Sequence, residues 1–247
     1  MNAEASKAER GHGWFPYILP YFAFVFMAEF GGRLPESAQL PLLYAKALIP
    51  IAFMGYFFFA RDAYPELRAH RPRLAQLPAD LLFGALSGVV WMLPYVLIPS
   101  VRPDDAGFDP MLAGEGAVAL VLSLRMLSYA VTTPLFEEIF IRSFVMRYAE
   151  VWPDRGDFRD VPLAQYSLKS FWVTVVVFTL GHVLWEYPVC VAWVIATNWW
   201  FYRRRNLWSL VAVHSAANAT ILLAAVFLSG RVADPAGDGM LSLWFFV

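Results

Sequence analysis

Glu137 and Glu138 close a 20-residue stretch, Ala117 to Phe136, whose only charge is Arg125, and Arg142 follows after three apolar residues. Adjacent carboxylates in a segment that hydropathy assigns to lipid cost roughly 2.5 to 3.5 kcal/mol each on insertion, so such residues are functional candidates by default. His182, His214 and Asn218 interrupt two later apolar runs in the same way. A carboxylate base, imidazoles and an amide donor are the groups needed to activate water and stabilise the oxyanion formed when it attacks a carbonyl.

Spacing divides the labour among them. At 100° per residue, Glu138 and Arg142 share a stripe at i,i+4, whereas Glu137 points about 100° away. Glu138 with Arg142 reads as an intramembrane ion pair, since a guanidinium fork satisfies a carboxylate, and Glu137 is left for chemistry. Pro134 lacks an N–H and clashes with the carbonyl of Ala130, which predicts a kink or local opening just before the acid pair. Phe178, His182 and Glu186 recur every fourth residue on one predicted helix face. Glu186 fits either a group orienting the imidazole or an interfacial residue ahead of Pro188, and the interface is preferred. His214 and Asn218 form another i,i+4 pair, able to donate hydrogen bonds in one direction. Each group also has a plain structural reading: a two-acid clamp on Arg142, a histidine bonded to a carbonyl, or polar glue between helices. Asn198, His12 and His70 are read as structural or surface residues, and Trp199, Trp200 and Tyr202 as an interfacial belt.

The elements that must position these groups are membrane helices. The chain of 247 residues is 59% hydrophobic and only 16% charged, with mean hydropathy +0.51, whereas soluble domains approach a quarter charged. A net charge of -1 lacks the basic surplus that a nucleic-acid partner needs. The lone Cys190 excludes an intrachain disulfide and a zinc-thiolate cage, and is read as a small core hydrophobe.

Apolar runs near the ~20 residues needed to cross hydrocarbon fall at about 14–30, 40–60, 80–99, 117–146, 170–187, 188–202 and 206–229. The expected fold is an all-α, polytopic transmembrane helix bundle of seven to eight spans, the apolar tail Leu241 to Val247 being an interfacial end or partial eighth helix. The polar lead with Lys7 and Arg10 makes the first run a signal anchor rather than a cleaved peptide. Arg61, Arg68, Arg71 and Arg73, then Arg147, Arg155, Arg159 and Lys169, then Arg203, Arg204 and Arg205 mark cytoplasmic turns. Asp104, Asp105, Asp109, Arg231, Asp234 and Asp238 fall on the other side. At 1.5 Å rise per residue, Glu137 lies about 15 Å from Arg147, His182 about 20 Å from Lys169 and His214 about 14 Å from Arg205. Groups at matched depth can line one cavity, expected to open to the cytoplasm. Residues 1–247 read as a single domain without internal repeats.

The patterns Glu137-Glu138-x-x-x-Arg142, Phe178-x-x-x-His182 and His214-x-x-x-Asn218, in this order on separate apolar runs, resemble the CPBP family. That family includes type II CAAX prenyl endopeptidases, bacteriocin-processing or immunity proteins and other intramembrane glutamate proteases. The resemblance covers about residues 117–220. The aromatic- and proline-rich first spans resemble the bacterial subgroup associated with exosortase systems. The resemblance implies that Glu137 is the catalytic glutamate, that His182 helps it activate water, that His214 and Asn218 stabilise the oxyanion, and that Glu138 and Arg142 support them, with Phe178 in the motif.

The expected function is metal-independent endopeptidase activity within the bacterial cytoplasmic membrane, N-terminus inside, with no cofactor, on a membrane-embedded or lipidated peptide. Two rivals stand beside it: a zinc protease using Glu137, His182, Glu186 and His214, although no HExxH helix is present, and a silent membrane adaptor or immunity protein.

Overall fold

The computed structural model describes residues 13–247 apart from 155 and 238. Lys7, Arg10, His12, Arg155 and Asp238 lie outside the described residues. The elements, in order, are α1 (Phe15–Gly31), α2 (Gln39–Ala60), a short α3 (Pro65–Ala69), α4 (Leu77–Leu97), α5 (Glu115–Val151), α6 (Leu168–Leu180), α7 (Tyr187–Arg204) and α8 (Leu207–Leu228). No strand is present among the described residues.

Each apolar run of the sequence contains one of these helices, of which α6, in the fifth run, has only 13 residues. Four of these, Glu36–Ala60, Leu77–Leu97, Glu115–Val151 and Leu207–Leu228, are long and apolar enough to cross a membrane, while α1 and α6 are shorter apolar helices. The tail ends in a 3-10 turn at Trp244–Phe246 and adds no further span.

The predicted fifth run is interrupted. α6 stops at Leu180, so His182 sits in the turn beyond it and Glu186 in a separate 3-10 turn, Leu184–Glu186. The every-fourth-residue stripe through Phe178, His182 and Glu186 is therefore not one helix face. Gly181 marks the break: a Cβ there would lie 2.6 Å from the Tyr21 hydroxyl, so α1 approaches the turn closely.

Local chemistry sets the other boundaries. Ser167 accepts the Ser170 N–H at 3.0 Å to start α6, and Asn206 accepts the Trp208 N–H at 2.9 Å to start α8. Arg205, at φ 48°, turns the chain from α7 into α8.

α5 is the longest element at 37 residues, and it is not uniformly α. Ser128–Thr132 and Ile139–Val145 are π-helical. The first widened turn immediately precedes Pro134, as the missing N–H predicts.

Gly84 and Gly88 fix the packing of α4 on α8. A Cβ on Gly84 would lie 2.2 Å from the carbonyl oxygen of Val213, and one on Gly88 2.7 Å from that of Ala217. The two backbones thus approach as at a small-x-x-x-small membrane crossing, on the stretch of α8 that carries His214 and Asn218.

At one end of the bundle, Glu66 of α3 ties three helices. Tyr17 donates to it at 3.2 Å, Arg147 pairs with it at 3.4 Å, and the Ser143 hydroxyl donates to it as well. Arg147 is therefore spent in a buried pair rather than marking a solvated turn. Asp80 similarly holds Arg204 at 2.8 Å and Trp200 at 2.9 Å.

Candidate active site

The π turn at Ser128–Thr132 and Pro134 deliver the acid pair between them and a second π segment, and the two carboxylates diverge. Glu138 is fully buried beside Arg142, with 3.6 Å between Oε2 and Nε. Arg142 also donates from Nη2 to the Thr197 hydroxyl at 2.8 Å, and its guanidinium lies 5.7 Å from the centroid of the Phe178 ring. Glu137 keeps some exposure and lines a cavity of about 670 Å³ together with His182, His214 and Asn218. Glu138 therefore pairs with Arg142 on the i,i+4 stripe, and Glu137 faces the cavity instead.

His214 links the two acids. Its Nδ1 is 3.0 Å from Glu138 Oε1, and its Nε2 is 3.8 Å from Glu137 Oε2. Paired with Arg142, the Glu138 carboxylate is an acceptor, so Nδ1 carries the shared proton and Nε2 is turned toward Glu137. His182 is held differently: its Nδ1 meets the Phe178 carbonyl at 2.9 Å. A carbonyl only accepts, so this nitrogen bears the hydrogen and Nε2 keeps its lone pair. Phe178 serves both imidazoles, with ring centroids 4.6 Å from His182 and 6.3 Å from His214, and Trp193 closes on His214 at 4.8 Å. Asn218 donates one amide hydrogen to the Tyr129 carbonyl at 2.8 Å, leaving the other uncommitted.

Every residue nominated from sequence is thus brought to one place, with one rearrangement: the imidazole in contact with Glu137 is that of His214, not His182. Spacing did not indicate Thr197, Trp193 or the glycines of α4. The Gly84-x-x-x-Gly88 pattern was the signal available for the last of these. Glu186 lines the cavity rather than facing only the interface. Among the described residues, no three His, Cys, Asp or Glu side chains gather as metal ligands, so the four-ligand zinc arrangement is not assembled.

The mouth of the cavity is formed by Gly31, Gly32 and Gln39, by the 103–108 loop, by the 181–186 turn and by residues 245–247. These lie at the end where α1, α4, α6 and α8 finish. The Arg-bearing turns 61–73 and 203–205 lie at the other end, which is filled by Phe136, Phe140, Phe144 and Phe158 and capped by the Glu66 cluster. The mouth thus lies at the end opposite the basic turns from which the depths were counted, and aromatic side chains fill the bundle on the side of those turns, where the opening was expected.

An apolar groove of about 640 Å³ runs between α4 and α7 past Leu86, Val90, Pro94 and Val189, and it shares Ser87, Trp91, Trp185 and Trp193 with the central cavity.

Residues 119–220 match the family model described as type II CAAX prenyl endopeptidase Rce1-like. Over this segment the chain is similar to the Rce1-like family. The matched residues run from the first turns of α5 to just past Asn218, which spans the whole set of side chains singled out from the sequence. No curated protein matches the chain, and no solved structure does either.

Proposed function

We propose that this Rce1-like chain is an intramembrane endopeptidase in which Glu137 is the general base. The observation that carries the reading is the contrast within the acid pair: Glu138 is sealed against Arg142, and Glu137 is presented to a cavity shared with His182, His214 and Asn218. In this mechanism a water donates one hydrogen to Glu137 and the other to the lone pair of His182 Nε2. Its oxygen attacks a peptide carbonyl as its proton passes to Glu137. The resulting oxyanion takes the uncommitted amide hydrogen of Asn218, and that of His214 Nε2 when the ring carries both protons. Collapse of the intermediate returns the proton from Glu137 to the leaving amine. Neither step calls on a metal or cofactor.

The proposed topology has seven spans in a bacterial cytoplasmic membrane with the N-terminus inside, supported by the basic turns. The cavity mouth then faces away from the cytoplasm. Substrates are membrane-associated peptides, and the apolar groove that shares Ser87, Trp91, Trp185 and Trp193 with the cavity supports a lateral route for a lipid chain or transmembrane segment.

Purified protein in detergent, offered a peptide pool and read by mass spectrometry, tests the activity. Cleavage that persists with chelator and falls roughly 10² to 10⁴-fold in Glu137→Ala supports the mechanism. Chelator-sensitive cleavage would favour a metalloprotease, and cleavage by neither protein, with unaltered cellular behaviour, an adaptor.

A further inference from the structure

The Tyr129 carbonyl in α5 is left without its usual main-chain donors. In the π turn at Ser128–Thr132 the N–H of Thr133 reaches back five residues to the Ser128 carbonyl, so it does not serve Tyr129, four residues back. The donor five residues on from Tyr129 would be position 134, and Pro134 has no N–H. The Thr133 hydroxyl does not take the carbonyl either. Thr174, Thr197 and Thr220 each donate to the carbonyl four residues back, at 2.7, 2.9 and 2.8 Å. Among the described residues the buried Thr133 hydroxyl has no partner. A main-chain carbonyl left unpaired inside an apolar bundle is costly, which favours a donor from another helix.

Asn218 supplies that donor. Its Nδ2 is 2.8 Å from the Tyr129 oxygen, across the contact of α5 with α8, and Tyr129, Thr133, Glu137 and Asn218 all border the cavity. The terminal torsion of an asparagine is broad when nothing holds it. An amide fixed to α8 at Cβ and to a main-chain carbonyl at one N–H keeps its plane, and with it the direction of the second N–H. Tyr129 is fixed at its other end as well, where its hydroxyl donates to the Phe246 carbonyl at 3.2 Å. Oxyanion stabilisation depends on donors aimed before the charge develops. The fault in α5, about two turns ahead of Glu137, thus bears on the donor that faces the base across the cavity.

We propose that Pro134 is a positioning residue for Asn218: by lacking an N–H it maintains the π turn and reserves the Tyr129 carbonyl for the amide. The proposal rests on the endopeptidase reading for the use of the second amide hydrogen. Pro134 touches no reacting atom and acts through Tyr129 and Asn218. An N–H restored at position 134 has two acceptors within reach. Bonded to Tyr129, it competes with Asn218 directly. Bonded to Ala130, it returns the turn to α register, in which the Thr133 N–H takes Tyr129. Both outcomes release the amide.

The test uses full-length protein in detergent, with Pro134→Ala, Pro134→Gly and Asn218→Ala made singly and Pro134→Ala/Asn218→Ala together. Thermal unfolding, turnover of a peptide that wild type cleaves, and side-chain amide NMR signals of protein carrying isotope-labelled asparagine are measured on each. Pro134→Ala should unfold at the wild-type temperature or higher, because a proline leaves a helix interior. Its kcat should fall about 10- to 100-fold with little change in KM. The Asn218 amide, identified by its absence in Asn218→Ala, should exchange its protons slowly in wild type and fast in both Pro134 variants. In the Asn218→Ala background the Pro134 change should cost less than about 2-fold more. A loss that persists there in full places the effect on Glu137, which the same helix carries, and overturns the proposal. So does an unchanged Asn218 amide in Pro134→Ala, or an undiminished kcat. A lower unfolding temperature makes Pro134 a residue of the fold alone and overturns it likewise. Absence of cleavage by wild type removes the endopeptidase reading, and the amide comparison then still decides whether Pro134 holds Asn218.

Discussion

Glu138→Gln tests whether the sealed acid supports the site by charge. Both side chains of the Glu138–Arg142 pair are fully buried, and removing one partner of a buried pair typically costs 3 to 5 kcal/mol, because the other charge is left uncompensated. Gln keeps the shape and an oxygen that still accepts from His214 Nδ1, and Arg142 keeps its 2.8 Å bond to Thr197. The 3.6 Å ion pair lies beyond hydrogen-bond range, so the expected loss is at the lower end, about 3 kcal/mol. Arg142→Met should cost a similar amount. The double variant Glu138→Gln/Arg142→Met should lose only about 0 to 2 kcal/mol, since no charge remains buried, and the cycle should show a coupling of at least about 3 kcal/mol. The assay is reversible unfolding in mixed micelles, with turnover measured in parallel. Single variants within about 1 kcal/mol of wild type, or a double variant as unstable as the sum of the singles, would refute this account of the pair.

Asn218→Ala should retain folding and reduce turnover roughly 10² to 10³-fold, read as a fall in kcat with little change in KM. Gly84→Leu should force α4 off α8, because its Cβ position is 2.2 Å from the Val213 carbonyl, and should therefore lower both thermal stability and activity. At the mouth, the backbone N–H of Ala236 and then Arg102, at 2.7 Å, hold the Asp234 carboxyl below the usual carboxylate range. A depressed folded value means that this clasp contributes at neutral pH and is lost as pH falls through it, below about pH 4. Hydrogen exchange in residues 229–247 should thus rise at pH 3 in wild type but be unaffected by that shift in Asp234→Asn. Single-cysteine variants Asp105→Cys and Arg71→Cys in a Cys190→Ala background separate the two orientations of the cavity mouth: an impermeant maleimide added to intact cells should label the first and spare the second, and the opposite pattern would place the mouth in the cytoplasm.

Much of the site was legible because intramembrane polar residues are few, and each marks its own depth. The stripe of Glu138 and Arg142 predicted their pairing, and the 100° offset predicted that Glu137 faces elsewhere. Pro134 predicted the opening that the π turn supplies. What remained hidden was tertiary. Periodicity cannot show that α6 ends at Leu180, because Gly181 and the approach of Tyr21 decide it. Nor can periodicity show that His214 bridges both acids, since α4 seats α8 through Gly84 and Gly88. Depth from the basic turns located the groups but not the mouth, since depth is silent about which end the aromatic core fills. Arg147 reads as a loop charge from the sequence alone, because its partner Glu66 lies 81 residues away on a separate helix.

The most direct measurement is quantitative peptidomics of membranes from cells carrying wild-type or Glu137→Ala protein at equal abundance. A set of cleaved termini present with wild type and absent with the variant is the predicted result. Identical peptide populations from the two would contradict the assignment of Glu137 as the base.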